Sequence, residues 1–150
     1  EKLVIATAFD SKKKFYLNYK ENFYNINGFI KSNDFNLDIH NGTGLIDWGR
    51  GRWPYSHSWV WGSFSTKLNG IPFGLNIGYG FGNLEHATEN DIIDMKFTPI
   101  YDNYTENRFI VISTGCHQVY GYFSGKCKID DKIIEFNNVL GFIEQAKNRW

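Results

Sequence analysis

The chain has 150 residues, of which 42% are hydrophobic and 18% aromatic, which suits one domain with a buried core and excludes a disordered segment. The 16 Lys and Arg residues balance the 16 Asp and Glu residues, so the broad positive surface of a nucleic-acid-binding protein is excluded as well. No apolar run approaches the roughly 18 residues that a membrane-spanning helix requires.

Strand patterns recur about every ten residues along the chain and are separated by turn residues, without a helical period. We predict strands over 2–9, 15–19, 23–31 and 35–39, followed by a Gly-rich loop over 40–57. Further strands are predicted over 58–68, 71–79, 92–101, 108–114, 119–129, 133–139 and 141–147. About ten strands in one domain of residues 1–150 predict an all-β fold, either an antiparallel barrel or a strongly curved sandwich.

The clearest local prediction is a hairpin at Asn69-Gly70. Asn-Gly supplies the two positive φ angles of a type I′ turn, whose twist matches that of the flanking strands. With this turn, Leu68 lies opposite Ile71, and one face of the hairpin becomes an almost wholly apolar layer that must meet the core.

The other face of this hairpin combines aromatic and polar side chains. Trp59 and Trp61 lie opposite glycines. In β-sheets an aromatic ring often covers the exposed backbone of a glycine on the neighbouring strand. Ser63 and Asn76 lie between these tryptophans and the turn. Such a face is typical of a wall that lines a ligand site. It is equally typical of an interface with another half of the protein, and a solvent-exposed surface is the third interpretation.

Two cysteines, Cys116 and Cys127, are too few for a disulfide scaffold. Along one strand, at about 3.3 Å per residue, they would lie more than about 30 Å apart, whereas a disulfide needs Cα atoms within about 7 Å. We therefore expect free thiols, with Cys127 a small buried hydrophobic residue. Since no signal-peptide pattern opens the chain, we expect a cytoplasmic location, unless a signal sequence precedes Glu1.

The segment 44–55 is dense in glycine, charge and aromatic rings. Asp47 can pin this predicted loop by pairing with Arg50 or Arg52, and the same two guanidinium groups can instead bind a ligand carboxylate or phosphate. His57 follows directly, where it can serve in acid–base chemistry or simply hydrogen-bond the loop.

A second polar cluster surrounds His86 and Glu89, and its carboxylates suggest a general acid. The four histidines lack the spacing of metal ligands, and the glycines lack the Gly-Lys-Ser/Thr ending of a phosphate loop. We therefore predict no metal and no cofactor.

Several ordered motifs carry a family resemblance: Leu45-Ile-Asp-Trp-Gly-Arg-Gly-Arg-Trp-Pro-Tyr55, Trp59-Val-Trp-Gly-Ser63, Phe73-Gly-Leu-Asn-Ile-Gly-Tyr-Gly-Phe-Gly82 and His117-Gln-Val-Tyr-Gly-Tyr-Phe-Ser-Gly125. With them the chain resembles the bacterial family catalogued as domain of unknown function 2804. The resemblance implies a lipocalin-like two-part β architecture, distantly similar to the hydroxyneurosporene synthase group, of which this chain would be the C-terminal half. It implies no catalytic residues, and this chain lacks the connecting stretch that members usually carry between Asn90 and Ile93.

These observations favour binding of a small, largely apolar ligand, such as a lipid or isoprenoid, over catalysis. Its expected contacts are Trp59, Trp61, Ser63, Asn76, Arg50 and Arg52. One alternative is a hydratase-like enzyme in which Asp47, His57 or Glu89 handles protons, and another is a carbohydrate-binding module with tryptophan platforms. As protein partners we expect the chain's own N-terminal half or a second copy, because the Trp59/Trp61 face would otherwise be exposed.

Overall fold

A computed structural model describes residues 2–9, 13–80 and 93–150, and these residues form an all-β structure. Its eight strands, in chain order, are β1 (Lys2–Ala8), β2 (Phe15–Lys31), β3 (Asn36–Arg52), β4 (Ser56–Leu68), β5 (Ile71–Tyr79), β6 (Ile93–Arg108), β7 (Ser113–Ile129) and β8 (Lys132–Arg149). Among the described residues, no helix is long and apolar enough to cross a membrane.

The strands form two antiparallel sheets, one with the order β1-β2-β3 and one with the order β5-β4-β8-β7-β6. Across the described ranges these sheets stay open, so the structure shows two packed sheets and no closed barrel. The chain passes from the first sheet to the second through residues 53–55, where Pro54 lacks the N–H that would continue strand pairing. The prediction of an all-β fold is confirmed.

The prediction of about ten strands was wrong because several predicted breaks are bulges or bends within longer strands. The segments 15–19 and 23–31 are one strand, β2, whose register shifts at Phe23. Phe23 itself has a positive φ of 75°. Likewise, 133–139 and 141–147 are both part of β8, in which Asn138 has a positive φ. An extra residue bends a strand without ending its pairing.

The predicted loop over 40–57 was also wrong, since most of it continues β3. Gly49 and Gly51 lie opposite Asn18 and Tyr16 of β2. Glycine is depleted in strands and signals a loop in sequence, yet here a Cβ at Gly51 would meet the Phe15 carbonyl oxygen. Gly49 and Gly51 therefore fit within the strand, because atoms of β2 occupy the space that a side chain would need.

The prediction of a strand over 108–114 fails for another reason. β6 ends at Arg108, and the chain turns back into β7 at Ser113. The Phe109 N–H donates to the Ile112 carbonyl across this turn, at 2.7 Å. Because the apolar run in this segment occupies a turn, its side chains are exposed, including Ile110.

The Asn69-Gly70 hairpin is confirmed in its register and in its turn. β4 and β5 pair from Val60↔Tyr79 to Leu68↔Ile71, as the two-residue loop requires. Asn69 and Gly70 have φ angles of 52° and 80°, both in the left-handed region of a type I′ turn.

Two hydrophobic clusters stabilise the two faces of the five-stranded sheet. One consists of Phe64, Phe123, Cys127, Phe136 and Val139 on the face predicted to be apolar. The other is built on Tyr16 and Trp61 and lies between the two sheets. Cys116 and Cys127 are both free, and Cys127 is buried in the first cluster, as predicted.

Candidate functional site

The three-stranded sheet packs against the Trp59/Trp61 face of the five-stranded sheet. Lys20 of β2 places its Nζ 3.4 Å from the centre of the Trp61 ring. Farther along the same strand, Asn22 Nδ2 donates to the Leu75 carbonyl at 3.4 Å. The mixed aromatic and polar face identified in the sequence is therefore an interface between two sheets of this chain.

Strand β2 contributes an unusually polar inner face to this interface. Its alternate residues Tyr16, Asn18 and Lys20 are only 5%, 3% and 3% exposed. Side chains two apart on a strand share a face, so all three point to the other sheet. Gly49 of β3 leaves the space that Asn18 occupies, since a Cβ there would lie 2.8 Å from Asn18 Nδ2.

The charge of Lys20 is balanced within the interface. Its Nζ lies 2.9 Å from Asp47 Oδ2 on β3. Burial lowers the pKa of Lys20, while Asp47 and, more weakly, Glu144 act in the opposite direction. Asn18 Nδ2 also donates to Asp47 Oδ1, at 2.6 Å, and to the Trp48 carbonyl, at 2.9 Å. Lys20, Asp47 and Asn18 thus form one polar network.

Both indole N–H groups of the interface are held by hydrogen bonds. Trp59 Nε1 donates to Glu144 Oε1 of β8 at 2.7 Å, and Trp61 Nε1 donates to Asn76 Oδ1 of β5. The Trp61 ring also packs edge-on against Phe142, with 4.8 Å between ring centres. These contacts fix the orientation of the two indoles.

A cleft of about 220 Å³ remains between the sheets. It is lined by Tyr16, Asn18, Lys20, Asp47, Gly49, Arg50, Trp53, Trp59, Trp61 and Glu144. Four of these residues are aromatic and come from β2, from the 53–55 link and from β4. We define this space as the inter-sheet cleft. Its walls belong to both sheets, so only the packed structure creates it.

An aromatic cluster adjoins the inter-sheet cleft through Trp53 and Trp59. Trp53 stacks on Trp59 with 5.9 Å between ring centres, and His57 lies 4.8 Å from both Trp53 and Phe9. Burial lowers the pKa of His57, which favours the neutral imidazole. Its Nε2 is buried without a hydrogen-bond partner among the described residues.

Comparison with known proteins identifies the family. A family model described as a domain of unknown function (DUF2804) matches residues 1–93 and 91–150. The chain belongs to this family. No curated protein matches the chain, and no solved structure matches it. The family's description assigns no activity.

This member of the DUF2804 family brings together four of the nine side chains that the sequence singled out. Trp59, Trp61, Asp47 and Arg50 line the inter-sheet cleft. Asn76 is the acceptor for the Trp61 indole. Ser63, Arg52 and His57 do not line it.

Ser63 is fully buried and donates to the Leu75 carbonyl at 2.9 Å. Arg52 is exposed at the end of β3, and Glu89 lies outside the described residues. The predicted pairing of Asp47 with an arginine is replaced by its pairing with Lys20. Asp47 and His57 do not contact each other's partners: His57 contacts aromatic rings, and Asp47 binds Lys20 and Asn18.

Sequence reasoning missed Asn18, Lys20 and Glu144, because polar residues on a strand suggest a solvent-exposed face. A usable signal was present in the short segment Ser32-Asn33-Asp34, which lies between the predicted strands 23–31 and 35–39. β2 and β3 pair around it with position numbers that sum to 67, as in Lys31↔Asn36. Two register shifts cancel, so Lys20↔Asp47 obeys the same sum. Extending the hairpin register would have paired these opposite charges.

Tyr16 provides a prediction for the pH dependence of stability. Burial, with smaller effects of Asp47 and Glu144, raises the pKa of Tyr16 above its ordinary value of 10.0. Above about pH 10 the unfolded tyrosine loses its proton while the folded one keeps it, so the folded state loses stability, by at most about 1.4 kcal/mol per pH unit. We expect Tyr16→Phe to reduce this loss in urea unfolding between pH 9 and 11. An equal loss in both proteins would contradict the prediction.

Proposed function

We propose that this domain binds a small, largely apolar ligand in the inter-sheet cleft. The observation that carries the proposal is a cleft of about 220 Å³ whose four aromatic rings are contributed by both sheets. Small-molecule sites are concave, mostly apolar and largely formed before the ligand binds. The hydrogen bonds from Trp59 to Glu144 and from Trp61 to Asn76 supply that preorganisation.

Except for the exposed Arg50, the charged side chains of the inter-sheet cleft already have partners, which supports an apolar ligand body over a charged one. Lys20 and Asp47 neutralise each other, and Glu144 accepts from the Trp59 indole. If Lys20, Asp47 or Glu144 bound an ionic ligand, its existing contact would be broken. The aromatic surfaces remain to provide the binding energy, at roughly 25 cal/mol for each Å² of apolar surface removed from water.

One buried hydrogen-bond acceptor in the lining of the inter-sheet cleft lacks a donor among the described residues. The Asn18 amide nitrogen donates to two acceptors, which fixes the orientation of the amide. Its Oδ1 is buried and has no hydrogen-bond partner among the described residues. A buried acceptor without a donor costs about 1–3 kcal/mol. A ligand hydroxyl that reaches Oδ1 as the sheets adjust would recover this cost, so we infer an apolar body with one hydroxyl group.

Geraniol, a small isoprenoid alcohol, is a suitable probe. Titration followed by NMR of the indole N–H protons reports on all five tryptophans in the chain. We expect the signals of Trp53 and Trp61 to shift on binding, while those of Trp48 and Trp150 stay in place. Geranyl methyl ether, which lacks the donor, should bind more weakly. Binding that shifts only Trp48 or Trp150 would place the site elsewhere and overturn the proposal.

A matched pair of variants tests the same proposal by affinity. Trp53→Ala removes a ring from the inter-sheet cleft, and we expect geraniol to bind roughly tenfold to a hundredfold more weakly. Trp48→Ala removes an exposed tryptophan outside the cleft and should leave the affinity unchanged. If Trp53→Ala folds and binds geraniol as tightly as the wild-type chain, the inter-sheet cleft is not the site. If Trp53→Ala does not fold, the NMR titration decides.

A further inference from the structure

A second cavity lies on the face of the five-stranded sheet that carries Phe64. It has a volume of about 890 Å³ and is lined by residues of all five strands. We define it as the trough. Its lining includes Ser58 and Val60 of β4, which share one face of the sheet, whereas Trp61 faces the opposite side and does not line the trough. The trough and the inter-sheet cleft therefore lie on opposite faces of one sheet.

One end of the trough is rich in positive charge. Strand register places Ser56, Arg149, Ser113 and Arg108 in one row across the sheet, and Lys147 lies in the next row. Arg108 is paired with Glu106 at 2.7 Å. Lys147 and Arg149 have no ion-pair partner among the described residues. This end thus presents two uncompensated cations flanked by serine hydroxyls.

The polarity changes along the trough. The row after Lys147 holds Tyr79, Val60, Gln145, His117 and Tyr104. In it, Tyr104 stacks on His117 with 4.2 Å between ring centres, and His117 Nδ1 lies 3.1 Å from Asp102 Oδ2. Beyond the trough, the next row holds Ile77, Ile143 and Val119, with Asp102, the partner of His117, at its edge, and it adjoins the cluster around Phe64. The surface therefore runs from cationic, through aromatic, to aliphatic.

We propose that the trough binds an amphiphilic anion, with its anionic head group at Lys147 and Arg149 and its alkyl chain along Val60, Tyr79 and Tyr104. Two cations and two serine hydroxyls suit a carboxylate or a phosphate, through charge-assisted hydrogen bonds. The aromatic and aliphatic rows remove an alkyl chain from water. The cationic end and the apolar rows adjoin each other on one surface, as the head group and the chain of an amphiphile require.

Sodium decanoate, used below its critical micelle concentration, tests this site by isothermal titration calorimetry. We expect it to bind, with an affinity that falls as NaCl is raised. Decyltrimethylammonium has the same chain with a cationic head group, and acetate has the same head group without the chain, so both should bind at least tenfold more weakly. Equal binding of decyltrimethylammonium would overturn the anionic site, and equal binding of acetate would overturn the amphiphile. Decyl phosphate then shows which of the two head groups binds more tightly.

Charge-matched variants locate the head group. Lys147→Gln combined with Arg149→Gln should weaken decanoate binding roughly tenfold or more. Lys128→Gln combined with Lys132→Gln removes the same charge from the same sheet, outside the trough, and should have little effect. Equal losses in the two double variants would overturn the proposal.

The trough and the inter-sheet cleft are tested independently. Decanoate should leave the Trp61 indole signal in place, because Trp61 lies on the other face and does not line the trough. Geraniol binding should be unchanged in the Lys147/Arg149 double variant. Failure of either proposal therefore leaves the other standing.

Discussion

Trp61→Ala is expected to lower the free energy of unfolding by about 3–5 kcal/mol, the usual cost of removing a large buried aromatic side chain. Trp61 is 7% exposed and belongs to the cluster between the sheets. The substitution removes its packing on Phe142, the hydrogen bond to Asn76 and the aromatic face on which the Lys20 ammonium lies. The three-stranded sheet would lose one of its packing contacts with the five-stranded one.

Trp48→Ala is the matched control for Trp61→Ala. Trp48 is 49% exposed and contacts Tyr19 on the outer face of the three-stranded sheet. Its removal should cost less than about 1 kcal/mol, as surface substitutions usually do. Urea unfolding followed by circular dichroism measures both variants without depending on tryptophan emission. Equal destabilisation by the two substitutions would show that Trp61 does not hold the sheets together.

Asp47→Asn is expected to cost about 3–5 kcal/mol, because it leaves the buried Lys20 ammonium without its carboxylate partner. The substituted amide keeps the size of the side chain and can still accept the hydrogen bond from Asn18. The charge is therefore the main property that changes. Glu144 raises the pKa of Lys20 less than Asp47 does, so it compensates only in part.

Lys20→Met should cost less than Asp47→Asn, because the two partners differ in exposure. The Lys20 side chain is 3% exposed and that of Asp47 is 33% exposed. Water can therefore solvate a lone Asp47, whereas a lone Lys20 stays buried. The double variant Lys20→Met/Asp47→Asn should be more stable than Asp47→Asn alone, since it removes both charges of this ion pair. Urea unfolding of the three variants measures this order, and a double variant less stable than Asp47→Asn would contradict the reasoning.

The sequence predicted the hairpin at Asn69-Gly70 to the residue. Asn-Gly fixes the turn type locally, and the turn type fixes the register of both strands. The same local logic placed Phe64 on an apolar face and Cys127 among buried residues, because the side chains of a strand alternate. Where local chemistry alone determines the geometry, the prediction was confirmed.

The prediction failed where a strand runs through residues that usually end one. Gly49 and Gly51 suggested a loop, and Phe23 sits at a bulge that read as a break between two strands. Propensity is a weak guide there, because pairing with a neighbouring strand outweighs the local cost of a glycine or a positive φ. Eight long strands consequently replaced about ten short ones.

The sequence by itself determined the all-β class, the Asn69-Gly70 register and the alternation that puts Trp59 and Trp61 on one face, since each follows from local turn chemistry and a two-residue period. Only the tertiary structure decided what covers that face. The packing of β2 on β4 brings Lys20 over Trp61 and creates the inter-sheet cleft. No period along a single strand encodes that juxtaposition, because it depends on how two sheets, joined through residues 53–55, meet in space.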